Sequence, residues 1–258
     1  MTVTPTTPRF EHLATALGIG EPRPRISWIV ETAPPGWAQT AYEIEQRDGA
    51  TVRVESPDSV LVPWPFDDLA SRERREVRVR VTGADGVSGG WSEWASVEAG
   101  LLGQADWTAV MVGPADDAVA APLLRRDFEA AGAEVTRARL YASAHGVTQL
   151  ELNGQRVGDD ELAPGWTAYQ SRLRYVTYDV TDLVRPGDNA LGAWLGDGWW
   201  RGQNSVARRV NDYGATTALL AQLVVILASG ETITFGTDAT WRSTPSHILA
   251  ADLIAGEV

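Results

Sequence analysis

The chain has 258 residues, of which 22 are basic and 34 acidic, so its formal charge is −12. So acidic a chain lacks the positive footprint that a phosphate backbone selects, and no run approaches the ~18 apolar residues of a membrane span; neither nucleic acid nor a membrane is an expected partner. Cysteine and lysine are both absent, which excludes disulfides, thiolate chemistry, Schiff-base lysines and phosphate-loop lysines.

Residues 1–8, rich in threonine and proline, read as a disordered lead-in. They carry neither the basic nor the apolar region of a secretory leader. With the missing cysteines, this gives a cytoplasmic expectation. RISWIV (25–30) is a strand with Ile26, Trp28 and Val30 on one face, and APPGW (33–37) is a loop because its prolines break a ladder. AYEIEQR (41–47) alternates with Tyr42 and Ile44 inward. Asp48-Gly49 then signals a tight hairpin into TVRVES (51–56). PWPF (63–66) is loop, and 67–72 is a weak helical candidate. REVRVRV (75–81) places Val77, Val79 and Val81 inward and Glu76, Arg78 and Arg80 outward. GADGVSGGWSEW (83–94) turns the chain before a last strand near 100. About seven short strands over ~95 residues predict a sandwich of fibronectin type III or immunoglobulin kind.

WSEW (91–94) has its own mechanism. In an extended stretch with three residues per turn, Trp91 and Trp94 fall on one side. There they can interleave with Arg78 and Arg80 as a cation–π ladder, each contact worth ~0.5–1 kcal/mol.

A joint is expected at 100–106, and a second β unit follows. PLLRRDFEA (122–130) and VTRARLYAS (135–143) are strands, and GVTQLELNGQRVG (146–158) is a hairpin centred on Asn153-Gly154. LRYVTYDV (173–180) is a strand. TDLVRPGDN (181–189) reads as a helical corner, capped by Thr181 and ended by Pro186-Gly187. ALGAWLGDG (190–198) and 216–237 add three more strands, the last two joined at Ser229-Gly230. The domain plan is therefore a lead-in (1–8), a first sandwich (9–104) and a second, jelly-roll sandwich (105–258). The fold class is all-β: two antiparallel β-sandwiches in tandem.

Eleven tryptophans against six tyrosines is the unusual count. Most such rings are core, but a tryptophan- and glycine-rich acidic β protein also fits carbohydrate handling. The densest cluster is Gly196-Asp197-Gly198-Trp199-Trp200-Arg201-Gly202-Gln203-Asn204. On a loop at a sandwich edge, Trp199 and Trp200 can stack on the apolar faces of a sugar. Asp197, Arg201 and Asn204 can bond its hydroxyls, and the glycines allow close approach. The alternative is that this loop packs against another domain, and strand alternation leaves room for only one of the two rings in the core. Asp159 and Asp160 offer oxygen ligands to a hard cation such as calcium, although such clusters are more often solvated loops. His12, His145 and His247 have no metal-ligand spacing. No nucleophile or metalloprotease motif occurs, and no carboxylate pair is marked as the acid and base of a glycosidase. The strand layout predicts no deep cleft.

The run 142–202, ASAHGVTQLELNGQRVGDDELAPGWTAYQSRLRYVTYDVTDLVRPGDNALGAWLGDGWWRG, strongly resembles the N-terminal β-sandwich domain of bacterial α-L-rhamnosidases. The AHGV strand, the LNG hairpin, VGDDxLAPGWTxY, the TYDVTDLV corner and GDGWWRG carry the match. The LNG…DVTDLVRPGDN portion is also similar to the galactose-binding-like sandwiches ahead of the barrels of β-galactosidase-like enzymes, but GDGWWRG and APGWTxY favour the rhamnosidases. PRxSW at 24–28, WSEWASVEAGLL and DWTAVMVGP look like the usual lead into that domain, so the resemblance covers about 9–258.

In that family the acid and base sit in an (α/α)6 barrel that follows the sandwiches, and terminal α-L-rhamnose is removed with inversion. The resemblance therefore assigns no catalytic residue to this chain. It implies that the 258 residues alone do not hydrolyse rhamnosides and that their partner is the C-terminal catalytic domain of the same polypeptide. Some members have a sandwich that binds L-rhamnose with calcium, which makes rhamnosides and calcium candidate ligands. A free-standing, lectin-like carbohydrate-binding module and a protein-interaction pair of sandwiches are the alternatives.

Overall fold

Backbone pairing follows the alternation of apolar and polar side chains. The computed structural model describes residues 3–31, 33–130 and 132–258 and divides into two units, Met1–Asp106 and Trp107–Val258. Among the described residues no helix is long and apolar enough to cross a membrane.

The strands of the first unit are β1 (Arg9–Phe10), β2 (Leu17–Ile19), β3 (Ile26–Ser27), β4 (Gln39–Gln46), β5 (Thr51–Val54), β6 (Arg74–Gly83), β7 (Ser88–Trp91) and β8 (Ala95–Ala99). One sheet runs β2-β8-β6-β4-β5, with β7 also on β6, and β1 pairs with β3 in a separate ribbon. All pairings are antiparallel except β2 on β8, which is parallel. Tyr42, Ile44, Val77, Val79 and Val81 point inward as their alternation requires. They pack against Phe10, Ile26, Trp28, Val62 and Trp64 of the opposing layer. Each large apolar side chain so buried is worth ~1.5–3 kcal/mol.

Three expectations fail in this unit. Met1 and Thr2 lie outside the described residues, but Val3–Pro8 is no disordered lead-in. The Gly90 amide donates to the Val3 carbonyl at 2.9 Å, the Thr6 amide to the Ile29 carbonyl at 2.8 Å, and Pro5 and Pro8 are buried. The strand expected over 25–30 shrinks to Ile26–Ser27, although its inward face stands: Ile26 and Trp28 are buried and Ile29 is exposed. Segment 67–72 is not helical. Arg72 takes φ of +66°, which no right-handed helix accommodates, and the Leu69 amide is spent on the Pro22 carbonyl at 2.9 Å.

In the second unit the elements are β9 (Leu123–Ala130), β10 (Val135–His145), β11 (Val147–Leu152), β12 (Gln155–Arg156), β13 (Val176–Asp179), β14 (Gly187–Gly196), α1 (Gly198–Arg201), β15 (Ala218–Leu227), β16 (Thr232–Gly236), β17 (Arg242–Thr244), β18 (Ala251–Asp252) and β19 (Gly256–Glu257). Two antiparallel sheets, β13-β10-β15-β16 and β12-β11-β14-β9-β17, face each other, and β18-β19 is a terminal hairpin. The core between the sheets is aliphatic, with Leu124, Leu140, Leu150, Leu152, Leu191, Leu195, Leu219 and Leu223 all buried. Asn153 (φ +56°) and Gly154 (φ +78°) close the β11–β12 hairpin in the left-handed pair of a type I′ turn.

The corner at 181–186 is a set of turns rather than a helix. Thr181 does not cap it. Asp179 Oδ1 instead accepts the Thr181 amide (3.1 Å) and hydroxyl (2.6 Å), a local bond that competes with helix formation. Asn189 then ties the corner down, accepting the Arg185 amide at 2.9 Å and donating to the Arg185 carbonyl at 2.7 Å. Among the described residues the one α-helical turn, α1, falls instead on Gly198–Arg201, where a loop was expected.

Candidate functional site

Strand β14 leaves the sandwich at Gly196 and turns at once into α1. Gly198 has φ of +53°, and a Cβ there would lie 2.8 Å from Val147 Cγ1 and 3.0 Å from the Gly146 carbonyl carbon. Only glycine lets the chain fold back this tightly. On a helical turn consecutive side chains diverge by ~100°, so Trp199 and Trp200 separate.

Trp200 turns towards the body of the unit. Its ring lies parallel to His145, with centres 3.8 Å apart and planes at 5°, and Tyr169 meets it edge-on at 5.2 Å. Its Nε1 donates to the Thr216 carbonyl at 3.0 Å. Gly214 lies flat against the indole, where a Cβ would come within 2.7 Å. Burial pushes the His145 imidazole below its ordinary pKa.

Trp199 faces the other way. It is parallel to Trp166, with planes at 4° and centres 6.2 Å apart. Trp166 is 55% exposed, and its Nε1 donates to the Tyr213 hydroxyl at 3.3 Å. The segment carrying Trp166 and Tyr169 is pinned to β11 by the Thr148 amide on the Ala163 carbonyl at 2.8 Å and contains a cis Ala163–Pro164 peptide.

The five predicted carbohydrate-binding residues therefore gather at one corner, but four are engaged in building it: Trp200 through its stacking and its bond to Thr216, and Asp197, Arg201 and Asn204 through polar contacts. Arg201 Nε donates to Asp197 Oδ1 at 2.7 Å, Nη1 to the Asp117 carbonyl at 2.7 Å and Nη2 to the Val119 carbonyl at 3.0 Å. Burial pushes the Asp197 carboxyl up in pKa, while Arg201 pulls it down. Asn204 is buried, and its Nδ2 donates to the Trp199 carbonyl at 2.8 Å. Trp166 is exposed, and the partly buried Trp199 lies parallel to it. Sequence reasoning missed Trp166, Tyr169, His145 and Tyr213 as members of the corner. The signals for the first three were the i, i+3 aromatics of APGWTAY and the histidine within AHGV.

Asp159 and Asp160 lie exposed after β12. Arg156 Nη2 donates to the Asp160 carbonyl at 2.9 Å and pairs with Glu161 at 2.8 Å. Burial, with Asp160 beside it, holds the Tyr178 phenol well above its ordinary pKa. Among the described residues no three of the histidine and acidic side chains come together as a metal site.

The second unit carries an open groove rather than a deep cleft. The outer face of β11 and β14 and the terminal hairpin β18–β19 border this groove of about 640 Å³, with Trp194, Asp197, His247 and Asp252 among its walls. Both Asp252 oxygens are occupied: Oδ2 accepts the Gln203 amide at 2.7 Å, and Oδ1 the Ile254 and Ala255 amides at 2.8 Å each. With Asp197 held by Arg201, neither carboxylate stands as a free acid or base.

Comparison with known proteins finds one family match within each unit. Residues 5–103 match the Rha78A-like N-terminal immunoglobulin domain, and residues 133–258 match the α-L-rhamnosidase N-terminal domain. An α-L-rhamnosidase of Streptomyces avermitilis is 47% identical over 170 residues, 65% of this chain and 16% of that protein. The crystal structure of an α-L-rhamnosidase from Aspergillus terreus overlays with a TM-score of 0.93 at 41% identity, over 99% of this chain and 31% of the other. A Streptomyces avermitilis α-L-rhamnosidase complexed with L-rhamnose overlays at 0.92 with 25% identity, over 99% of this chain and 42% of that one. The chain thus spans less than half the length of each of these relatives.

Proposed function

Because the chain belongs to the N-terminal, non-catalytic domains of the α-L-rhamnosidases, we propose that it forms the front of an enzyme that removes terminal α-L-rhamnose from glycosides. In this role the two sandwiches support a catalytic domain carried elsewhere in the polypeptide, and the second presents carbohydrate to it. The observation that carries the reading is the tandem match: an immunoglobulin-like domain and then a rhamnosidase N-terminal domain, in one chain that overlays a 41%-identical rhamnosidase over 99% of its length. The test is hydrolysis of an aryl α-L-rhamnoside. The intact protein is expected to release the phenol and the 258 residues alone to release none. Release by the isolated chain overturns the assignment of these domains as non-catalytic.

A lectin-like reading is favoured by one observation, the exposed Trp166 ring with the partly buried Trp199 parallel to it. Flat aromatic faces are where the apolar side of a pyranose stacks. Calorimetry with L-rhamnose, with and without calcium, tests it: heat that Trp199→Ala abolishes supports carbohydrate contact at this corner. Heat that survives Trp199→Ala removes the corner from the binding role.

A further inference from the structure

The groove beside Trp194 is bordered by the outer face of β11 and β14 and by the terminal hairpin. On β14, Leu191, Ala193 and Leu195 point into the core, so alternation sends Trp194 to the outer face of its sheet. A large ring on such a face is ordinarily either covered by a packed layer or avoided. Here the ring is partly buried. His247 meets it edge-on, with centres 5.7 Å apart and planes at 80°. Its Nε1 is fixed by Glu151 Oε1 at 3.2 Å, which sets the indole plane. Gln149, its cross-strand partner on β11, is exposed beside it. The terminal hairpin forms the opposite wall and leaves about 640 Å³ between, within the ~300–1,000 Å³ range of small-molecule sites.

The polar groups around this ring are unequal in kind. Asp160, Glu161, Asp197, Asp252 and Glu257 line the groove, while its one arginine, Arg156, is already paired with Glu161. Such a wall repels anions and offers acceptors to a ligand rich in hydroxyl donors. Asp197 and Asp252 are held rigid by Arg201 and by three backbone amides, so their remaining lone pairs are oriented before any ligand arrives. Val147, Leu162 and Ile248 give the same groove apolar patches. A flat ring, oriented acceptors and small apolar patches together match a neutral sugar, whose C–H face is apolar and whose rim is hydroxyl.

We propose that the groove between Trp194 and the β18–β19 hairpin is a binding site for a neutral monosaccharide or terminal sugar residue, separate from the Trp166–Trp199 corner. The choice of a sugar rests on the reading of the chain as part of a glycoside-processing protein. The site itself rests on the groove. L-Rhamnose is the probe, added to the isotope-labelled 258-residue chain while the indole N–H resonances are followed. The Trp194 resonance, identified by its loss in Trp194→Phe, is expected to move saturably while those of Trp28 and Trp64 stay still. Gln149→Ala changes an exposed side chain and is expected to keep the fold while weakening the titration about tenfold, or ~1.4 kcal/mol. Trp199→Ala is expected to leave it unchanged. A still Trp194 resonance, when the intact protein does hydrolyse an aryl rhamnoside, overturns the groove and spares the family reading. An equal response to D-glucuronate, or to calcium chloride alone, overturns the assignment to a neutral sugar.

Discussion

In the first sandwich, indoles alternate with guanidinium groups: Arg80 lies 4.6 Å from the Trp91 ring, Arg78 is 4.7 Å from Trp91 and 4.6 Å from Trp94, and Arg47 is 4.5 Å from Trp94. In the second, rings meet rings, with Trp200 on His145 and Tyr169, and Trp199 beside Trp166. The ladder is a product of sheet register. Glu43 and Glu45 of β4 stand directly opposite Arg80 and Arg78 of β6, and each carboxylate pairs with the arginine it faces. Ser92 locks the rungs in place by accepting the Val79 amide on its hydroxyl at 2.9 Å and donating its own amide to the Val79 carbonyl at 2.8 Å. The aromatic corner has no such repeat. It draws on β10, on 166–169, on α1 and on 213–216, so its geometry depends on several loops being correct at once. An assembly of repeated surface contacts should fail in small increments, whereas one built from converging loops should fail as a unit.

Trp200→Ala tests that contrast most severely. It removes the ring that His145 stacks on, the edge contact of Tyr169 and the bond to Thr216. A loss of about 3 kcal/mol is expected from the second unit, near the lower end for a large aromatic truncated to alanine. Hydrogen exchange should show faster opening in β10 and β14 with β6 unchanged. A loss below ~1 kcal/mol, within the range of an ordinary substitution, would mean that the corner is not cooperative.

Arg78→Met should cost less. The central rung loses two cation–π contacts of ~0.5–1 kcal/mol each and its partly buried ion pair with Glu45, worth ~0.2–1 kcal/mol. Together these give about 1–3 kcal/mol, read by denaturant unfolding of the first unit. Arg78→Lys should recover only part, because an ammonium group cannot stack flat between two indoles. Full recovery would show that charge, and not stacking, holds the ladder.

The two assemblies also differ in how far sequence discloses them. Strand alternation places Val77, Val79 and Val81 inward, which leaves Arg78 and Arg80 outward, and WSEW supplies two indoles at matching rise. Every rung but Arg47 follows from local period. The corner was recognisable only as a cluster of residue types. Asp197, Arg201 and Asn204 have the chemistry of sugar ligands, but side-chain type does not tell whether the partner is a sugar or the loop's own backbone. Here the Asp117, Val119 and Trp199 carbonyls take those donors. The helical turn at Gly198–Arg201 was hidden by its length, since one turn carries no period. The groove was hidden for a further reason. Its far wall comes from residues 251–257, over fifty positions from β14, and no local pattern links the two.

The smallest expected effect separates the assemblies by pH. Guanidinium groups stay charged throughout the physiological range, so the ladder has no cation to lose. His145 does. Burial lowers its folded pKa below the unfolded value of ~6.5, so the unfolded chain takes up its proton first on acidification. The stability carried by neutral, stacked His145 is therefore complete above ~6.5 and is lost as pH falls through the folded value. Asp197 acts with the opposite sign. Its carboxyl is held above the ordinary range, so its contribution is present at low pH and is lost as pH rises through the folded value. Comparing the protein with His145→Phe, which keeps a flat ring against Trp200, cancels Asp197 and leaves the histidine alone. The unfolding free energy of the second unit, taken as wild type minus variant, should be constant above about pH 7 and fall towards about pH 5. The same difference for the first unit should stay flat. A second-unit difference that does not change across this range would show that the imidazole stacks on Trp200 equally well with its proton.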